Sequence, residues 1–374
     1  MRLAMKKNLL SWGLVCACFM SLSAAEVKLT PKQRLGKAIF FDADLSTPPG
    51  QACAECHSPN QGFSNTEVNL PVSRGVHRDR FGGRNDLSAA YAGFSPPLRF
   101  DEKEGTYVGG NFWDGRADNL VEQAKGPFLN RLEMANPDAA AVVVKIRQAA
   151  YAPLFLEVFG ADALKVVDRA YHLAAEAIAA YEMSPEVNAF SSKYDFYLKK
   201  LVALSPAEQR GLALFEDPKK GNCAACHPSQ PGVDGTPPLF TDFTYDNLGV
   251  PKNPGNPFYY LPRELNPDGP RWVDLGLGAV VKKASENGKF RVPTLRNIAH
   301  TPPYMHNGVF KNLWQVVMFY STRDVGPWPA PEVPETVNRE ELGNLKLTAA
   351  EIDDIVAFML TLSDGYRPPA AAAH

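Results

Sequence analysis

The sequence predicts an all-α fold built from two copies of one small helical unit, and three features carry that prediction. Cys53-Ala-Glu-Cys56-His57 and Cys223-Ala-Ala-Cys226-His227 write one motif twice. Each motif follows the same kind of segment, Leu29 to Phe40 and Leu204 to Phe215, in which Thr or Ser, then Pro, then Gln or Glu open a stretch of apolar residues at helical spacing. The 32 Pro and 28 Gly gather between about 46 and 137 and between about 228 and 337, so long irregular loops must wrap whatever the two units hold. At 374 residues, 45% hydrophobic and 21% charged, the chain is large enough for two globular domains. The 39 Lys and Arg against 41 Asp and Glu leave a formal charge of -2 with no basic block, so nucleic acid is not an expected partner.

Residues 1–25 read as an address. Arg2, Lys6 and Lys7 precede an apolar run from Leu9 to Met20, and Ser23-Ala24-Ala25 supplies small residues before Glu26. This is the pattern of a secretory signal peptide cleaved near Ala25, and its run is shorter than the ~20 residues that span a bilayer. The expected product is a periplasmic protein with no membrane span after cleavage. Residues 26–190 are then the N-terminal domain and 191–374 the C-terminal one. The boundary falls near Ser184 to Ser192, where Pro185 and a polar stretch interrupt the helical pattern.

Within each unit Thr30 or Ser205 is the expected N-cap, with Pro31 or Pro206 at the first helical position and Gln33 or Glu208 closing a capping box. Gly36 and Gly211 would let another helix cross closely. The expected crossing partners are Val166 to Met183 and, after the capping box Thr348 to Glu351, Ile352 to Leu362, where Ile352, Ile355, Val356, Met359 and Leu360 recur at helical spacing. A Cys pair continued directly by His is the spacing of c-type haem attachment. Two thiols three residues apart form thioethers to both haem vinyl groups, and the adjacent imidazole ligates the iron. Zinc and dithiol redox chemistry use the same Cys pair, but export to an oxidising compartment argues against reduced zinc thiolates. Two helices crossed over a haem make a cytochrome c unit. The expected fold is therefore two cytochrome c-like domains, each with one covalently bound haem c, joined by long irregular loops.

Three further motifs add a resemblance. Phe112-Trp113-Asp114-Gly115-Arg116-Ala117, Arg291-Val292-Pro293-Thr294-Leu295-Arg296-Asn297 and Pro303-Tyr304-Met305-His306-Asn307-Gly308 resemble, in that order, the bacterial di-haem cytochrome c peroxidase and MauG superfamily. The likeness runs from about Thr30 to Leu362. It implies a hydrogen-peroxide-dependent oxidoreductase whose N-terminal haem, on His57, is the peroxide site. It also implies that Gln123 and Glu133 line the distal face, Glu133 as acid and base and Gln123 to position peroxide and water. Trp113 then stands between the haems as an electron carrier, and Asn85, Thr301 and the Pro303 carbonyl match a calcium site between the domains. His77 matches either a loop His that caps the N-terminal haem or a solvated loop residue.

Ordinary members of the superfamily bind the sixth position of the C-terminal haem with Met, seventeen residues after the Pro of the Pro-Tyr-X-His motif. Here that count from Pro303 ends on Tyr320, while Met318 lies about 200° away around a helix. A thioether raises the potential of a haem that receives electrons; an anionic phenolate suits one that stores oxidising equivalents. The resemblance then implies the MauG pattern, in which oxidising equivalents leave through the C-terminal haem to oxidise Trp or Tyr of a periplasmic partner protein. The alternatives are a cytochrome c peroxidase, fed by a small cytochrome c or cupredoxin, and a non-catalytic di-haem electron carrier. One departure stands out. The surface Trp two residues before the second Cys pair of MauG proteins is Gly221 here, which leaves Trp272, Trp314 and Trp328 as the candidate exits.

Overall fold

The computed structural model describes residues 28–65 and 67–368; the expected signal peptide lies outside the described residues. Helices dominate. The first half holds α1 (Pro31–Phe40), α2 (Cys53–Cys56), α3 (Leu120–Leu129), α4 (Ala139–Gln148), α5 (Ala152–Phe159) and α6 (Val167–Glu182). The second half holds α7 (Lys193–Leu198), α8 (Pro206–Glu216), α9 (Leu277–Val281), α10 (Leu313–Thr322) and α11 (Ala349–Leu360). Among the described residues strands are confined to β1 (Arg99–Asp101) against β2 (Thr106–Val108) and β3 (Tyr245–Asp246) against β4 (Phe290–Arg291), both antiparallel.

The two halves repeat one arrangement. Capping boxes close at Thr30/Gln33, Ser205/Glu208 and Thr348/Glu351, each hydroxyl accepting from the backbone three residues on. α1 crosses α6 at Gly36, where an added Cβ would lie 1.8 Å from the Ala177 carbonyl oxygen, and α8 crosses α11 at Gly211, where it would lie 1.9 Å from that of Asp354. Aromatic edges seal both crossings, Phe40 on Tyr181 at 5.4 Å and Phe215 on Phe358 at 5.1 Å. α11 begins three residues before the expected Ile352, because the capping-box residues form its first turn. One hydrophobic cluster is drawn from residues 35–187 and a second from 194–362. A small third cluster, Phe258, Tyr259 and Leu261, packs on Phe81, Leu132 and Trp272.

Buried polar and cation–ring contacts tie the halves together. Arg296 forks onto Asp195 at 2.8 and 3.0 Å and lies between the rings of Tyr91 and Phe190. Tyr91 also donates to Asp364 at 2.7 Å. Arg84 forks onto Asp274 at 2.6 and 2.7 Å and reaches Asp114 at 2.6 Å.

Candidate active site

Each Cys motif is a single helical turn, closed by the same bond: His57 N–H donates to the Cys53 carbonyl at 2.9 Å, and His227 N–H to the Cys223 carbonyl at 2.9 Å. The imidazoles are held alike. Nδ1 of His57 meets the Phe63 carbonyl at 3.2 Å and Nδ1 of His227 the Phe240 carbonyl at 2.7 Å. A carbonyl accepting at Nδ1 fixes the tautomer whose Nε2 carries a lone pair, the form that ligates a metal. Burial lowers the pKa of both rings, His227 to about 4, so both are neutral at ordinary pH. All four thiols are free, and burial pushes Cys53 and Cys223 up to about 12, the opposite of the lowered thiols that act as thiolate ligands or redox dithiols. Each motif opens on its own cavity, and such a pair of thiols beside one neutral imidazole fits a covalently attached haem.

The His57 cavity gathers Cys53, Cys56, Gln123, Glu133 and Trp113, residues up to 80 positions apart in the chain. Gln123 stands on α3, and Glu133 on the turn after it, pinned by Val76 N–H to the Glu133 carbonyl at 2.9 Å. Asn130 donates from Nδ2 to Glu133 Oε1 at 2.6 Å. Burial, then the nearby Asp86, raises the Glu133 carboxyl. Three wall residues were not singled out from the sequence. Asn130 orients Glu133, and its signal was its place three residues before it. Asp86 is raised to about 7 by burial and held by the Ser73 hydroxyl. Glu182 is raised to about 8 by burial, with its Oε2 bonded to no described residue. An acid four residues after the buried Ile178 on α6 was the signal for it. His77 does not line this cavity.

The His227 cavity gathers Cys223, Cys226, Tyr320, Asn85, Thr301 and Pro303. Met305 and Met359 also face it, and Met318 does not. Tyr320 comes from α10, its phenol raised by burial and hydrogen-bonded to no described residue. Trp113 lines both cavities, its Nε1 donating to the Asn85 carbonyl at 2.8 Å. Its ring lies 6.5 Å from those of Phe290 and His306, which stack on each other at 3.7 Å. Among the described residues no three acidic, His or Cys side chains cluster as a metal site, and no single helix is long and apolar enough to cross a membrane.

Two haem-type cavities, each at a Cys-X-X-Cys-His turn under crossed helices and sharing one tryptophan, define a di-haem c-type protein. The family described as di-haem cytochrome c peroxidase matches residues 30–202. The chain is 38% identical to the methylamine utilization protein MauG of Paracoccus denitrificans, over 90% of this chain and 89% of that one. It is 30% identical to the cytochrome c551 peroxidase of Pseudomonas aeruginosa, over 90% and 80%. Among solved structures it superposes on the diheme peroxidase BthA of Burkholderia thailandensis with a TM-score of 0.79 at 36% identity, over 91% of this chain and 87% of that one. The chain belongs to the di-haem cytochrome c peroxidase and MauG superfamily, and is a peroxide-dependent di-haem oxidoreductase.

Proposed function

We propose that this chain is a periplasmic enzyme that takes up hydrogen peroxide in the His57 cavity and, in the manner of MauG, oxidises Trp or Tyr side chains of a partner protein through the second haem. The observation that carries the reading is Tyr320, whose phenol lines the His227 cavity without a hydrogen-bond partner among the described residues, while Met318 stays out of that wall.

Cys53, Cys56 and His57 hold one haem and Cys223, Cys226, His227 and Tyr320 the other, and the two supply the iron redox chemistry. The chain's own groups do the rest. Glu133 takes a proton from one peroxide oxygen and returns it to the other. Its raised pKa keeps both protonation states within reach, and the Asn130 bond fixes which oxygen faces the substrate. Gln123 positions peroxide and water. Trp113, in the wall of both cavities, carries electrons between them. Asn85 commits its amide nitrogen to the Pro71 carbonyl at 3.0 Å, which leaves neutral oxygens of Asn85, Thr301 and Pro303 for a calcium ion, a hard cation that suits them. In this reading residues 26–190 form the peroxide-reactive domain and 191–374 the domain that faces the partner.

One observation favours a second reading. Met305 and Met359 also face the His227 cavity, and a thioether ligand would suit a cytochrome c peroxidase that draws electrons from a small cytochrome c or cupredoxin. Tyr320→Phe separates the two. Loss of the phenolate ligand should change the spectrum of the haem on His227; an unchanged spectrum removes the MauG-like reading and leaves the peroxidase.

A further inference from the structure

Trp272 and Phe258 stand in the wall of the His57 cavity. The Trp272 ring lies 4.9 Å from Phe258 and 6.0 Å from Tyr259, in the small third cluster. Tyr259 is only 2% exposed, and its hydroxyl bonds to no described residue. Beside it Glu332 is in the same position, with Oε2 buried and unpartnered, and its carboxylate faces the other cavity, on His227. After burial, the charge of Glu332 is the largest influence raising the Tyr259 phenol. Lys252 completes the group, with Nζ 4.4 Å from the Tyr259 ring centre and 3.9 Å from Glu332 Oε1. Packing alone does not account for this set, because Phe would fill the same space without burying a hydroxyl that no described residue satisfies.

We propose that Tyr259 is a second redox-active side chain, which gives up an electron through Trp272 to the His57 cavity when hydrogen peroxide arrives without a reductant. The inference rests on the reading of that cavity as the peroxide site. Reduction of one hydrogen peroxide to two waters takes two electrons and two protons. Tyr259 supplies one electron, and its phenolic proton passes to the Glu332 carboxylate through a water that the two unpartnered oxygens would hold between them; a haem would supply the second electron, and the two protons that complete the waters come from bulk solvent. A phenol is hard to oxidise unless its proton leaves with the electron, and Glu332, raised to about 7 by burial and by Asp274, is a base of suitable strength. The product is a neutral tyrosyl radical held in the buried cluster.

The test mixes the ferric holoprotein with hydrogen peroxide in the absence of reductant, freeze-quenches it, and records electron paramagnetic resonance beside the haem absorption. A tyrosyl signal is expected in the wild type, at least tenfold weaker in Tyr259→Phe and in Trp272→Phe, and undiminished in Tyr260→Phe. An unchanged resting haem spectrum identifies the variants that keep the fold. Haem bands that respond to peroxide with no tyrosyl signal, or with an undiminished one in Tyr259→Phe, overturn this inference alone. Haem bands that ignore peroxide overturn it together with the reading of the His57 cavity.

Discussion

Glu133, half-buried, and Glu182, buried, place two carboxylates in one cavity wall, and their hydrogen bonding differs. Glu133 is oriented by Asn130, whereas Glu182 has an unpaired Oε2 and is raised from 4.5 to about 8 by burial. An acid whose folded pKa exceeds its unfolded one makes the native chain bind more protons, so its contribution to stability is full below about 4.5 and is lost as pH rises through about 8. Glu182→Gln should therefore flatten the fall of Tm between those pH values and raise Tm at the upper end, as thermal melts across that range will read. For Glu133 the prediction concerns rate. In the proposed mechanism Glu133 acts first as a base, so the rate should fall as pH drops through a limb above the ordinary carboxylate range. Glu133→Gln should lower the rate by about 10²-fold or more and remove that limb. The places of Gln123 and Glu133 in the cavity were legible only through the resemblance, and for Glu182 the helical spacing after Ile178 marked a buried face but not which cavity it meets, because α6 carries it to Cys53 from 129 positions away.

Helix ends and crossings were the most legible elements, because a capping box and a small residue are local signals. Gly211 shows why the crossing needs glycine. In an open helix Gly→Ala gains up to about 1 kcal/mol in propensity. Here the new Cβ would press on the Asp354 carbonyl, and overpacking of that kind costs about 1–3 kcal/mol. Gly211→Ala should accordingly lower Tm, and denaturant unfolding will show the sign. Gly221 obeys the same constraint. An added Cβ there would lie 2.4 Å from the Leu214 carbonyl oxygen, so α8 crowds any side chain at the position where the resemblance to MauG proteins expects Trp. α3 was hard to read because Pro127 interrupts its last turn, yet it presents Gln123 to the cavity. α10 was read through its register, and that register brings Tyr320, not Met318, to the His227 cavity.

On the scale of the whole molecule, the loops rich in Pro and Gly do more than connect. They bring Arg84 onto Asp274, 190 residues away, and Arg296 onto Asp195 between Tyr91 and Phe190. Composition announced irregular segments around a shared object, but it held no sign of these pairings, which depend on contacts distant in sequence. The same packing sets Trp113 in both cavities, and in the proposed mechanism oxidising equivalents would cross there to a haem that Tyr320 would hold and that would store them. The most direct measurement is stopped-flow absorption of the fully ferric holoprotein mixed with one equivalent of hydrogen peroxide and no reductant. A rapid change in the haem bands is expected, persisting until a reductant or partner is added. No reaction until one haem has been reduced beforehand would contradict it, and would identify a reductively activated cytochrome c peroxidase instead.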